Sequence, residues 1–349
     1  MSTYSPISSQ NHGQSGFTLV ELMISLVIGL LVIAAAGSLF LSNRRVYAST
    51  ESVNRIQENQ RTAYELMSRD IREAGGNPCS RNVVNMLDTS KPGGAYFNTW
   101  MQGISGVNGA SGGTDELTLS LANAGSVSVT SNDGPSANIG ISAAAGFVTD
   151  DIVMVCNPEV AAIFQITAIP GGVSLQHNSG NGNPGNLQKP FQSDQDTFDS
   201  NPSGNAAGYC YLPDPVSPNP NCLNRASNLP AQVVRPYAVR WYVASNPRGG
   251  SSLYRQTITN AVAAGGQEIA EGVTNLQVQY RMGASNNFQD ASTGWTSAQW
   301  ATVNAVSIVL TVQATTGSLN NNDVRGTNNA VLTRVFSDVV ALRNRMEIQ

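Results

Sequence analysis

Residues 16–41 read GFTLVELMISLVIGLLVIAAAGSLFL, and this stretch decides how the rest of the chain can fold. The apolar run that begins at Phe17 is roughly 25 residues long, which is enough to cross a bilayer as a helix. Its one charged residue is Glu21. A lone carboxylate at membrane depth costs about 2.5–3.5 kcal/mol on insertion scales, so Glu21 needs a partner. Cleavage after Gly16 would create one, the new α-amino group of Phe17, one helical turn away.

The leader, residues 1–16, differs from an ordinary secretory signal. It contains no Lys, Arg, Asp or Glu. A secretory signal is cut after its apolar segment, whereas the candidate cut in this chain precedes the apolar segment. The apolar helix over 17–41 would therefore survive processing. The alternative interpretation is an ordinary signal anchor that happens to contain a glutamate.

The helix is predicted to continue beyond residue 41 as an amphipathic segment, 42–76. Apolar residues there recur at intervals of three, four or seven, and the sequence GGNP at 75–78 ends the pattern. A helix over 17–74 would be about 85 Å long, too long to be buried in one domain. Its first half must therefore enter lipid or contact other helices. Its second half must pack on a domain through the apolar positions Val46, Val53, Ile56, Ala63, Met67, Ile71 and Ala74.

Beyond Pro78 the apolar period changes to two, which is typical of strands. Helical periodicity is nearly absent there, so a parallel βαβ arrangement is not expected. The sequence predicts an α+β fold, with the long N-terminal helix packed on a largely antiparallel sheet domain, 77–349. Residues 178–232 are rich in Asn, Pro, Gly and Ser and predict a long surface loop. Strands are predicted at 116–121, 147–156, 161–169, 173–176, 233–244, 253–257, 276–282, 304–313 and 333–342.

The four cysteines all lie beyond the membrane-length helix, at Cys79, Cys156, Cys210 and Cys222. An even number in an exported domain suggests disulfides, and four cysteines permit three pairings. Proximity in sequence favours Cys210 with Cys222, and Cys79 with Cys156. A zinc site is the weaker interpretation, because the chain has no CxxC pair. The net charge is −4 and no basic stripe is present, which argues against a nucleic-acid partner.

Two sets of motifs resemble a known family. The pattern G-F-T-L-x-E followed by an apolar helix resembles the signal of type IV prepilins and type II secretion pseudopilins. The C-terminal order of LYR (253–255), EGVTNLQVQY (271–280), RVF (334–336) and LRNR (342–345) resembles PilW-type minor pilins. The resemblance implies a type IV pilin-like form of the α+β fold. It also implies cleavage between Gly16 and Phe17, N-methylation of Phe17, and a role for Glu21 in assembly.

The resemblance also implies partners and a location. Prepilin peptidase would process the chain, which would sit in the inner membrane as a single-pass protein with its C-terminal domain in the periplasm. It would then enter an extracellular type IV pilus with other minor pilins, the major pilin and a tip adhesin of the PilY type. A place in a tip or priming complex would support pilus assembly, adhesion and twitching motility.

Other candidate sites are weaker, and neither catalysis nor a cofactor or metal is expected. His177 is interpreted as a surface or loop-packing residue, because no nucleophile and acid accompany it in a catalytic order. The carboxylates of Asp194, Asp196 and Asp199 could attract calcium, but their spacing does not match an EF-hand, so a solvated turn is favoured. A sugar-stacking platform of tryptophans is likewise less favoured than core or loop packing for Trp100, Trp295 and Trp300.

Two other functions stay open. A type II secretion pseudopilin of the J type shares the N-terminal signal and the helix. A membrane-anchored periplasmic binding or adhesin module would use the 178–232 loop or the tryptophans to hold a ligand.

Overall fold

A computed structural model describes residues 16–76, 83–109, 113–123, 127–132, 138–144, 146–158, 161–180, 182–187, 231–315 and 330–345. Three α-helices occur in these ranges: α1 (Leu19–Glu73), α2 (Pro92–Trp100) and α3 (Ser297–Ala301). The first nine strands are β1 (Val83–Asn85), β2 (Ile104–Val107), β3 (Glu116–Ala122), β4 (Val127–Asn132), β5 (Asn138–Ile141), β6 (Ile152–Cys156), β7 (Ala161–Gln165), β8 (Ser174–Gln176) and β9 (Gln232–Val234). The other eight are β10 (Pro236–Ser245), β11 (Ser251–Thr259), β12 (Val262–Ala263), β13 (Gln267–Glu271), β14 (Val273–Met282), β15 (Phe288–Asp290), β16 (Val303–Gln313) and β17 (Thr333–Ala341).

The strands form three sheets. The first sheet has the order β1-β7-β6-β9-β4-β5-β8, the second β12-β11-β10-β3-β2 with β13 also on β11, and the third β15-β14-β16-β17. Only the β1–β7 pair is parallel among the described strands. The α+β prediction, with one long helix against antiparallel sheets, is therefore confirmed.

Helix α1 is a single rod of 55 residues. It begins where the Thr18 side chain accepts a hydrogen bond from the Glu21 amide at 3.2 Å, an N-cap arrangement. It ends before Gly75, whose positive φ of 66° closes the helix. The Gly75 amide then donates to Ser120 O on β3 at 2.9 Å, so the end of α1 is tied to the second sheet.

The second half of α1 packs between the second and third sheets, against strands β3, β13, β16 and β17. Ile56, Ala63, Met67 and Ile71 are buried there, as the apolar spacing predicted. The prediction for Val46 is wrong, because that side chain is 64% exposed and burial begins at Ala48. The domain therefore starts slightly farther along the helix than the apolar pattern indicates.

The first sheet has a core of its own. Strands β6 and β7 are buried on both faces. One face joins the side chains of β4, β5 and β8, and the other packs on α2 and on Ala238 of the second sheet. Neither cluster includes a residue of α1 among the described parts of the chain.

Several predicted boundaries are corrected. Strand β6 begins at Ile152 rather than 147, because Asp150 has a positive φ of 72° and the Asp151 carboxylate accepts the Val148 amide in a turn. The single strand predicted at 233–244 is two strands, β9 in the first sheet and β10 in the second. Helices α2 and α3 were not predicted.

The start of the predicted 178–232 loop is ordered against the first sheet. Asn186 forms isolated bridges with Leu87 and Ser179, and its side-chain amide donates to Gln165 O at 2.8 Å. Residues 188–230 lie outside the described ranges.

Candidate assembly site at the start of the long helix

The first half of α1 projects from the domain with no protein around it. Its large apolar side chains between residues 17 and 41 are 55–82% exposed. By length and composition, α1 is the one described helix suited to cross a membrane. The hydroxyls of Ser25 and Ser38 donate to the helix's own carbonyls, to Glu21 O and Ala35 O, each at 2.8 Å. The polar atoms of these two serines are thus satisfied within the helix, which suits a lipid environment.

Glu21 lies in the first turn of α1 and its side chain is exposed. Across the described residues, its carboxylate forms no ion pair. Phe17 is 82% exposed and sits just ahead of the Thr18 cap. In the uncut chain Phe17 has no free amino group, so the cation expected beside Glu21 exists only after cleavage.

Gly16 lies in open space. A β-carbon built at this position meets no atom within 4 Å. Nothing in the described chain therefore requires glycine at position 16.

Of the four cysteines, only Cys156 lies among the described residues. Cys156 lies at the end of β6 and is fully buried. Cys79, Cys210 and Cys222 lie outside the described residues, and so do Asp194, Asp196 and Asp199. The cysteine pairing and the calcium alternative therefore stay predictions. Among the described residues, no group of three His, Cys, Asp or Glu side chains could hold a metal.

His177 packs in the core, with its ring centroid 4.8 Å from that of Phe164. It is 2% exposed, and burial lowers its pKa to about 4. The imidazole is therefore neutral at neutral pH, in keeping with the predicted packing role.

The tryptophans also pack rather than line an open platform. Trp100 is 5% exposed and its indole N–H donates to Tyr237 O at 2.8 Å. Trp300 is 6% exposed and Trp295 is partly buried against it, with ring centroids 4.8 Å apart. Both rings also contact Tyr280, whose phenol has its pKa raised by burial.

The sequence analysis missed the polar contact that holds α1 to the domain. Asp70 is 1% exposed and accepts hydrogen bonds from Arg255 Nε at 2.8 Å and from Trp241 Nε1 at 3.1 Å. Asp70 follows Ala63 by seven residues and Met67 by three, so it lies on the buried face of the helix. An acidic residue on an apolar stripe is the signal that could have revealed it.

Two further contacts join α1 to the C-terminal strands. Asn59 Nδ2 donates to Glu271 O on β13 at 2.8 Å, and Asn344 Nδ2 donates to Glu73 O at 3.4 Å. A β-carbon at Gly76 would collide with the Asn344 amide, so a glycine is needed where the chain leaves the helix. The C-terminal segment thus packs along the half of α1 that lies outside the apolar run.

Two protein-family models match the chain, one near its N-terminus and one near its C-terminus. Residues 11–37 match the prokaryotic N-terminal methylation motif. Residues 240–344 match the type IV pilus-assembly protein W family. The two matches support a PilW-type type IV pilin. The PilW match runs from β10 to Asn344, and thus includes β13, β16 and β17, which pack on α1.

The PilW match and the methylation motif leave residues 38–239 unmatched, including every strand of the first sheet. No curated protein and no solved structure matches this chain.

Proposed function

We propose that this PilW-type pilin is a minor subunit of a type IV pilus, cut between Gly16 and Phe17 by prepilin peptidase and N-methylated at Phe17. The observation that carries the proposal is the projecting first half of α1. Exposing this much apolar surface to water is strongly unfavourable, so it needs lipid before assembly and neighbouring helices afterwards. Because the second half of α1 packs on the sheets, the first half stays free to enter a bundle with the helices of neighbouring subunits.

Glu21 supports the same proposal through its charge. It has no cationic partner in the described chain, and an unpaired carboxylate is costly among apolar helices. The amino terminus of a neighbouring, processed subunit would neutralise it. We therefore assign Glu21 the role of selecting and aligning the incoming subunit.

Gly16 supports processing. Since a side chain at position 16 would meet nothing within 4 Å, the described part of the chain does not explain a glycine there. The active site of a peptidase that cuts after this residue is such a requirement.

The size of the globular domain after α1, residues 77–349, which we call the head, supports the role of a minor pilin. Three sheets and a core separate from the helix make a bulkier head than a slim repeating filament accommodates easily. We place the chain in a tip or priming complex with other minor pilins, beside the major pilin and a PilY-type tip adhesin. The head would lie in the periplasm before assembly and outside the cell afterwards, supporting adhesion and twitching motility.

The disulfide proposal rests on chain reach. Val83 pairs with Ala161, which in turn pairs with Cys156, so the three strands meet at one end of the first sheet. Two strand spacings separate β1 from β6, about 10 Å. Cys79 precedes Val83 by four residues, a reach of about 13 Å when extended. We propose that Cys79 pairs with Cys156, which leaves Cys210 to pair with Cys222.

The deciding experiment compares pili in a deletion strain complemented with the wild-type chain, Glu21→Ala or Glu58→Ala. Glu58 is an exposed acid on the same helix, outside the apolar run. We expect electron microscopy to show few or no pili without the chain and full rescue by Glu58→Ala. Glu21→Ala should be cut normally but should be depleted from sheared pili, as measured by immunoblot.

Normal incorporation of Glu21→Ala would contradict the assembly role. Normal pili in the deletion strain with loss of protein secretion would indicate a type II secretion pseudopilin. Normal pili with loss of surface attachment would indicate a binding or adhesin module.

A further inference from the structure

A short exposed segment joins the apolar half of α1 to the domain. We call residues 42–47, with the sequence SNRRVY, the neck. All six residues are exposed, and burial against the domain begins only at Ala48. The neck contains Arg44 and Arg45 and no acidic residue.

The two neck arginines have no protein partner among the described residues. No ion pair or side-chain hydrogen bond involves Arg44 or Arg45. The nearest acid along the helix, Glu51, is already paired with Arg55 at 2.6 Å. Farther along, Arg61 pairs with Glu65 at 2.8 Å. The charges of the helix beyond the neck are thus largely matched, and those of the neck are not.

The position of the neck follows from helix geometry. Arg44 lies three residues beyond Leu41, an axial distance of about 4.5 Å. Each headgroup layer of a bilayer is about 5–7 Å thick, so a span that ends near residue 41 puts both guanidinium groups among the lipid phosphates. Tyr47, 72% exposed, follows about 9 Å beyond Leu41, near the water-facing edge of that layer, where amphipathic aromatic rings are enriched.

We propose that Arg44 and Arg45 bind the phosphate groups of anionic phospholipids in the leaflet next to the globular domain while the chain is in the membrane. This inference rests on the membrane stage of the proposed function. Guanidinium groups bind phosphate oxygens in a bidentate manner, and long basic side chains reach headgroups from a helix end. The binding fixes the depth of the span and must be released when the chain enters a pilus.

Native mass spectrometry of the full chain in a neutral detergent tests the proposal. Phosphatidylglycerol is titrated against the wild type, Arg44→Gln/Arg45→Gln and Arg44→Lys/Arg45→Lys. The control is Arg72→Gln/Arg334→Gln, which removes the same charge at two exposed positions outside the neck. We expect about 5-fold weaker lipid retention per neck arginine lost, or about 30-fold for both, and no change in the control. The lysine variant keeps the positive charge but lacks the bidentate guanidinium geometry, so its loss of lipid retention should be smaller than that of the glutamine variant.

Two further measurements in the same experiment identify the ligand. Phosphatidylcholine should be retained much less than phosphatidylglycerol, and inorganic phosphate at matched concentration should not displace the lipid. Equal lipid retention by the wild type and the double glutamine variant would overturn the proposal. So would displacement by inorganic phosphate, or unchanged lipid retention with loss of cross-links to a neighbouring pilin. Pilus incorporation is measured separately, so the lipid result stands whether or not the chain assembles.

Discussion

At the scale of single residues, the sequence predicted motifs whose members lie close together along the chain, but not pairs whose members lie far apart. Gly16, Phe17 and Glu21 lie within six positions, so the sequence alone brings them together. Asp70 was visible only as an acid on an apolar face, because its partner Arg255 is 185 residues away. The burial of a lone polar residue also depends on strands that meet only in three dimensions, as His177 shows.

His177 should make stability depend on pH. Burial lowers its pKa from 6.5 to about 4, so the unfolded chain takes up the proton first as the pH falls. The contribution is fully present above pH 6.5 and is lost between pH 6.5 and about 4. The difference of about 2.5 pKa units corresponds to about 3 kcal/mol in the free energy of unfolding.

Urea unfolding of the wild type and His177→Gln across this pH range checks the effect. The difference between the two unfolding free energies should shrink as the pH falls, because the variant has no proton to take up. Parallel curves for the two proteins would show that the imidazole titrates normally.

At the scale of secondary-structure elements, apolar periodicity predicted a segment that buries one of its faces. Elements that depend on tertiary packing for their formation were not predicted from it. Most of the apolar stripe of α1 was predicted correctly, because from Ala48 onward that face packs on the second and third sheets. Helix α2, with the sequence PGGAYFNTW, has two glycines and low intrinsic propensity, and it forms because Phe97 and Trp100 are buried. Helix α3 carries a capping box between Thr296 and Gln299, a local signal that could have predicted it.

The contact between α1 and the second sheet should depend strongly on Asp70. Asp70→Ala would leave Arg255 charged and largely buried, with its side chain only 20% exposed. Breaking one partner of a buried pair costs about 3–5 kcal/mol. The control is Glu65→Ala, which breaks an exposed pair with Arg61 and should cost less than about 1 kcal/mol. Denaturant unfolding of both variants gives the two values, and similar losses would contradict a special role for Asp70.

At the scale of the whole molecule, the sequence predicted the class of fold but not its division into sheets. Strands β9 and β10 are separated by Arg235 alone, yet they belong to different sheets. Alternation within one strand carries no information on which sheet it joins. Strands β6 and β7 are buried on both faces, so their apolar runs show no alternation that could fix their bounds.

The proposed disulfide between Cys79 and Cys156 should hold the first sheet to the rest of the chain. Peptide mapping of unreduced protein is expected to recover a peptide pair linked through Cys79 and Cys156. Cys156→Ser should lower the free energy of unfolding by up to about 4 kcal/mol, since the closed loop is long. Cys79→Ser should lower it equally, because either change opens the same loop. A link from Cys156 to Cys210 or Cys222 would show that the proposed pairing is wrong.

The junction between the first and second sheets has a consequence for how such chains diversify. The chain leaves the second sheet after Ala122 and returns to it at Pro236, and these two residues are paired across β3 and β10. The amide of Asn123 donates to Arg235 O at 3.1 Å, so exit and return are one hydrogen bond apart. Six of the seven strands of the first sheet lie between these two points, and β1 is the exception. A segment that begins and ends at one point can change in length without pulling its two ends apart. Evolution can thus vary the length of this segment while the pairing of β3 with β10 stays the same.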